Sequence, residues 1–268
     1  MPIHCLTAIK FSSQSALFPL SPDDAVGRAV EGVYQFSLAD FNQHVALFSD
    51  GCPALMLMPD AGMGSVCRVD GQIIPLGAVW FTAGILQRAV WEPSGTTGKL
   101  TIIRFRPQAW QKLSAKPTGE PPYIHDMATY HPELEAKFLP LCKPGIGKEE
   151  IGKLLRAMFS DVEDGIGADP QDVLFFKSPH TLSVKTWKQE YHPKWVQRFF
   201  KKRFGVSPYQ YEQLQRFLCA FRRLETAAAE SLHAVAFLSG YCDANHLIKD
   251  FKKYLGTTPR HFFRGRIN

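Results

Sequence analysis

Nine residues near the C-terminus are written twice. Phe200-Lys201-Lys202-Arg203-Phe204-Gly205-Val206-Ser207-Pro208 returns 51 residues later as Phe251-Lys252-Lys253-Tyr254-Leu255-Gly256-Thr257-Thr258-Pro259, with five of the nine positions identical. Repetition at that spacing marks one supersecondary unit used twice, so this part of the chain has to fold as a pair of similar units. In each copy a Gly followed three residues later by a Pro reads as a helix stop, and that role is structural.

The residues between and beside the copies supply the helices. Tyr211, Leu214, Phe217, Leu218, Phe221 and Leu224 recur at helical spacing and predict a long helix between the repeats. Ser231 is placed to cap the next helix, through Leu232, Val235, Ala236 and Leu238, and Gly240 supplies a tight turn. Asp243 then caps a further helix from Ala244 to Leu255. Helix, glycine turn, helix at this size is a helix-turn-helix.

The second helix of such a unit enters the major groove of DNA and offers residues near its N-terminus to base edges. In the second copy Asn245 and Lys249 stand at i and i+4 on one face, with Leu247 and Phe251 on the opposite, inward face. Asn suits adenine, and Lys suits guanine or phosphate. In the first copy Lys194, Gln197 and Arg198 share a face, Val196 and Phe200 point inward, and Trp195 covers a seam. Lys201, Lys202, Lys252 and Lys253 follow where phosphates are expected. Amides and cations on one amphipathic helix are usually only its wet face. Two copies carrying them at corresponding places argue for a shared task.

Charge divides the chain the same way. Residues 181–268 hold 16 Lys+Arg against 6 Asp+Glu, while the first 180 hold 15 against 19, so the C-terminal third carries all of the net +6. That asymmetry fits a polyanion-binding module joined to a neutral or acidic domain. The six cysteines (Cys5, Cys52, Cys67, Cys142, Cys219, Cys242) are scattered with no Cys-x-x-Cys pair, which argues against a zinc site or a disulfide scaffold and for a reduced, cytoplasmic setting. No signal peptide and no membrane span is read.

Residues 1 to about 110 read as β-rich. Short apolar stretches (Gly32 to Phe36, Ala54 to Met58, Ala78 to Thr82, Leu100 to Phe105) alternate with Gly, Pro and Asp turn signals, the pattern of a barrel or sandwich. The Pro/Gly-rich passage from Pro107 to Gly147 carries no clear periodicity. Lys148 to Glu163 is an amphipathic helix whose stripe of Ile151, Leu154, Leu155, Met158, Phe159 and Val162 packs either on its own domain or on the same helix of a second subunit. Gly165 to Pro170 ends it, and residues 166–180 read as a linker between a β-rich domain, 1–165, and a helical domain, 181–268. His4, His44, His125 and His131 form no His-x-His with a downstream Glu, and no phosphate loop or nucleophile elbow is present. No catalytic residue, metal or cofactor is therefore assigned.

Taken together, the C-terminal residues resemble the DNA-binding domain of the AraC/XylS transcription regulators. The resemblance rests on Gln197-Arg198-Phe199-Phe200 with Gly205 and Pro208, and on Arg216 with Ala220. It continues through Ala234-Val235-Ala236, Gly240-Tyr241, Asp243, His246-Leu247, Phe251-Lys252-Lys253, Gly256 and Pro259-Arg260-His261-Phe262-Phe263-Arg264. Val184 to Tyr191 departs from the family pattern, lacking its small residues and turn glycine, and His192-Pro193 stands where a Ser cap is common. Asp50-Gly51 and Arg104-Phe105-Arg106-Pro107 look like an N-terminal domain found on some relatives. The resemblance implies an α+β protein: a cupin-like barrel or sandwich, then an all-α domain of two helix-turn-helix subdomains. It implies a regulator reading two adjacent major-groove segments of double-stranded DNA with Lys194, Gln197, Arg198, Asn245 and Lys249. The N-terminal domain would bind a small-molecule effector or make a homodimer, and act on DNA binding or on contact with RNA polymerase. The rivals are an architectural or targeting protein that binds DNA without strong sequence preference, a DNA-modifying enzyme, and a helical protein-interaction module.

Overall fold

The structure, a computed structural model, describes residues 1–11, 17, 20–21, 24–58, 65–95, 97–106, 109, 123–159, 189–226 and 231–264. The linker read at 166–180, and most of the departing stretch 184–191, lie outside the described residues.

The N-terminal half is a jelly roll. One sheet carries β1 (Val30–Ser37), β8 (Lys99–Phe105), β3 (Gly51–Leu57), β6 (Val79–Gly84) and β9 (Ile124–Asp126), in that order. The other carries β2 (Val45–Leu47), β7 (Ala89–Glu92), β4 (Ser65–Val69) and β5 (Gln72–Leu76). Every pairing is antiparallel, and the order 1-8-3-6 against 2-7-4-5 is the double Greek key of jelly rolls and cupins. Every residue of β3 and β6 is buried, because the larger sheet is covered on both faces. Ala54, Met56 and Trp80 point into the roll, while Leu55, Leu57, Val79 and Phe81 point out under a helical cover. Strands enclosed on both sides need apolar residues at every position, which is why Ala54 to Met58 reads as an unbroken run.

That cover includes α5 (Lys148–Phe159), whose Ile151, Leu155 and Phe159 are buried against the outer face of the larger sheet. Of the two partners open to this helix, its own domain is the one it packs on. Among the described residues four other α-helices fall in stretches read as β-rich or left unassigned: α1 (Ile3–Phe11), α2 (Ala25–Ala29), α3 (Met127–Tyr130) and α4 (Pro132–Phe138).

The C-terminal part is helical: α6 (Pro193–Phe204), α7 (Pro208–Thr226), α8 (Leu232–Leu238), α9 (Ala244–Leu255) and α10 (Pro259–Phe262). It shares a core with the jelly roll. Phe217 of α7 lies 5.2 Å from Phe48 between ring centres, and Tyr254 of α9 lies 5.4 Å from the same ring. Helix α1 is wedged between the two parts, with Ile3, Cys5, Leu6, Thr7 and Ile9 all buried.

At this junction sits a buried ion network. Lys10 of α1 lies 2.7 Å from Asp50, whose carboxylate also accepts from Arg104 at 3.1 Å. Arg104 donates in turn to Glu31. Lys10, Asp50 and Arg104 have side chains no more than 3% exposed. Burial alone would raise the Asp50 carboxyl, but Arg104 and Lys10 outweigh it and hold it well below the usual carboxylate range. Lys10 also donates to Gln215 of α7, and His4 and Thr7 both bond Glu225 near its end. The N-terminal helix is thereby tied to the jelly roll and to the helical domain by charged and polar contacts.

Candidate nucleic-acid interface

The two repeat copies take the same backbone path. Gly205 has φ 69° and ψ 3°, Gly256 φ 72° and ψ 2°, and each donates its N–H to the carbonyl four residues back, on Lys201 and Lys252. Only glycine adopts this left-handed geometry without strain, so both positions end their helices for the same reason.

Helix α9 is capped by Asp243, whose carboxylate accepts from the His246 N–H at 2.9 Å. That bond holds the Asp243 carboxyl below its ordinary range. The turn before it is a Schellman motif: Gly240 at φ 81° donates to Phe237 O and Tyr241 to Ala236 O. Leu247 and Phe251 are fully buried, and Tyr241 donates from its hydroxyl to Asp250 at 2.9 Å beneath the helix. Arg216 of α7 lies 4.6 Å from the Tyr241 ring centre, fixing the long helix to the turn. With those groups inward, Asn245 and Lys249 face solvent on the opposite side, together with His246.

Helix α6 starts with Pro193 at its first position and His192 as cap, Nδ1 accepting from the Lys194 N–H at 3.3 Å. Val196 and Phe200 are buried, as expected, and Phe199 joins them. Trp195 is half-buried and stacked between Tyr191 and Phe199, with ring centres 4.7 and 5.2 Å away. Lys194, Gln197 and Arg198 are exposed together. All five candidate base-reading residues therefore stand on solvent-facing surfaces of α6 and α9.

The four flanking lysines do not behave alike. Lys202 and Lys252 are exposed, and Lys201 is exposed with its ammonium on the Gly205 carbonyl at 3.2 Å. Lys253 is half-buried, lying 4.9 Å from the Tyr254 ring centre and reaching Gln213 at 3.5 Å. Its charge is partly committed inside the protein. Two surface features carried no expectation of exposure: His246 beside Asn245, and the apolar pair Phe237 and Leu238, 79% and 54% exposed beside the turn. A histidine in a helix stripe and an apolar residue in an apolar run carry no sequence signal that separates them from core.

A family model described as a helix-turn-helix domain matches residues 190–265. Residues 190–265 are an AraC-type helix-turn-helix domain. The matched span holds α6 to α10, both glycine stops and all five candidate base-reading residues. No curated protein sequence matches the chain. Among solved structures, the 1.65 Å structure of ToxT from Vibrio cholerae is similar at 13% identity and a TM-score of 0.42, covering 86% of this chain and 96% of that one. ToxT with a bound unsaturated fatty acid gives 10% and 0.40, covering 86% and 92%. Among the described residues no helix is long and apolar enough to cross a membrane, and no cluster of side chains could hold a metal ion.

Proposed function

We propose that the chain is a transcription regulator that binds specific sequences in double-stranded DNA, with α6 and α9 reading adjacent segments of the major groove. The observation that carries this is the exposure of cations and amides on two helices that end in the same left-handed glycine stop. Lys194, Gln197 and Arg198 face outward on one, Asn245 and Lys249 on the other, each opposite a buried apolar face. Arg and Lys suit guanine, and Asn and Gln suit adenine, so both helices carry groups able to discriminate bases. Phosphate contacts supply most of the affinity, which falls steeply with salt. In this reading residues 1–165 sense a small molecule or a second subunit, and their state reaches DNA binding or RNA polymerase contact through the shared core. The boundary of the DNA-binding part lies at 166–180.

The test is in-vitro selection of random duplex DNA by the full chain at near-physiological salt. Enrichment of a motif with two blocks about one helical turn, roughly 34 Å, apart supports the reading. Salt-sensitive binding with no enriched motif would assign the chain to architectural DNA binding instead.

A further inference from the structure

A cleft of about 680 Å³ opens on the outer side of the larger sheet, between strands β1 and β8 and the loop leading into α5. That volume is in the range of small-molecule sites. Its floor is apolar, formed by Leu57 and Leu141, 1% and 2% exposed, with Ile146 beside them. One wall is polar: Gln35 donates from Nε2 to Thr101 Oγ1 at 3.1 Å, and Thr101 is itself buried. The rim carries Lys99, Lys143 and Lys148, all exposed.

The electrostatics of that rim are one-sided. None of the three lysines has an anionic partner among the described residues, in contrast to Lys10 and Arg104 at the domain junction. The nearby Glu150 carboxylate is engaged by the Gly147 N–H at 3.1 Å. Three ammonium groups share this rim with no carboxylate in its lining, and that favours an anion placed among them.

We propose that this cleft binds a small anionic molecule with an apolar body, its charge among Lys99, Lys143 and Lys148 and its body over Leu57 and Leu141. The site rests on the reading of the N-terminal domain as a ligand-responsive module and gives that ligand a chemical class. The route to the helical domain is short. Gln35 and Thr101 are partners across β1 and β8, and Glu31 and Arg104, toward the other end of the same two strands, form the buried ion pair at the junction.

The test uses 8-anilinonaphthalene-1-sulfonate, an aromatic sulfonate, titrated into the full chain and into a Lys99→Ala/Lys143→Ala/Lys148→Ala variant, with melting curves of both. Saturable binding that weakens about tenfold in the variant at an unchanged melting midpoint is the expected result. The uncharged N-phenyl-1-naphthylamine should bind both proteins alike. Equal sulfonate affinity in the two proteins overturns the site. Unchanged sulfonate binding with weaker, less salt-dependent DNA binding overturns it too and gives the lysines to the DNA backbone. Cleft binding confirmed, with DNA affinity indifferent to saturating sulfonate, leaves the site standing and refutes the ligand-responsive reading.

Discussion

Asp50→Asn removes one charge from the centre of the junction while keeping the shape of the side chain. Asp50 is 2% exposed and receives Lys10 at 2.7 Å and Arg104 at 3.1 Å, so its loss leaves two buried cations against the single carboxylate of Glu31. Removing one partner of a buried ion pair costs about 3–5 kcal/mol, most of it from the charge left uncompensated. For a chain of this size each kcal/mol moves the melting midpoint by roughly 2–4 °C, so a drop of about 6–20 °C follows. Circular dichroism melts at neutral pH, with urea unfolding alongside, measure it. Glu92→Gln is the control. Glu92 pairs with Arg68 on the surface, where solvent screens the interaction, and the midpoint should stay within error. An Asp50→Asn loss under about 1 kcal/mol would mean that water reaches the network, and the account of the junction as a dry ionic tie would be wrong.

The same network sets an acid limit. Burial would raise both Glu31 and Asp50, but Arg104 outweighs it at Glu31, and Arg104 with Lys10 outweighs it at Asp50, so both are held down in the folded state. Their stabilisation is fully present above ordinary carboxylate values near pH 4 and shrinks as pH falls below them, because the unfolded chain takes up protons first. Urea midpoints taken from about pH 7 to about pH 3 should fall across that window, with a shallower slope in Asp50→Asn. Asn245→Ala and Lys249→Ala should each lose about 1–3 kcal/mol of discrimination at one base position of the selected site. Binding arrays resolve this, and a uniform loss over all sequences would place the residue on the backbone instead. Gly256→Ala forces a side chain into φ 72° and brings its Cβ within 3.3 Å of Arg88, so unfolding should become easier by about 1–2 kcal/mol in urea titrations. Tyr241→Phe leaves buried Asp250 without its hydroxyl donor and should cost about 1–3 kcal/mol by the same measurement, with the DNA motif retained.

The helical domain was readable because its signals are local. Asp243 and Ser231 cap the helices they precede, Gly240 and Gly256 take positive φ, and the apolar spacing around Leu247 and Phe251 matches the buried face. Each depends on residues within one or two turns. The jelly roll was legible as β-rich, but its strand order was not, since β1 pairs with β8 across some 70 residues. Helix α1 escaped because it is enclosed by both domains: a helix buried on two sides has no polar stripe to reveal its period. Asp50 and Arg104 stood out separately as family-like residues, yet their pairing spans 54 positions and only the folded sheet brings them together. Lys253 carries the opposite lesson. Its place in the repeat matches Lys202, but the second copy puts Tyr254 and Gln213 within its reach.

Helices α6 and α9 both meet the jelly roll at the end away from their candidate base-reading residues. On α9, the Arg88 N–H donates to Tyr254 O at 2.7 Å, and the Arg88 side chain crosses Gly256 while pairing with Asp70 at 3.0 Å. Arg88 and Asp70 both hold left-handed backbone, at φ 50° and 47°, a conformation that costs a non-glycine residue energy and persists only where surroundings enforce it. On α6, Phe204 packs over Gly51, next to Asp50 of the ionic network. A cation at a helix C-terminus also interacts favourably with the helix dipole, so the Arg88 contact is both a hydrogen bond and a charge interaction. The N-terminal halves, with Lys194, Gln197, Arg198, Asn245 and Lys249, are left to solvent. A rigid shift of the jelly-roll turns would therefore move both helices at their C-terminal ends, changing the relation between the two candidate surfaces without touching any residue proposed to face DNA. Arg88→Ala keeps the backbone bond but deletes the pairing with Asp70 and the charge at the helix end. If this coupling holds, the variant should alter the preferred spacing between the two blocks of the selected site while leaving the bases within each block unchanged. An altered base preference within one block, at constant spacing, would show that the jelly roll shapes α9 itself rather than its placement.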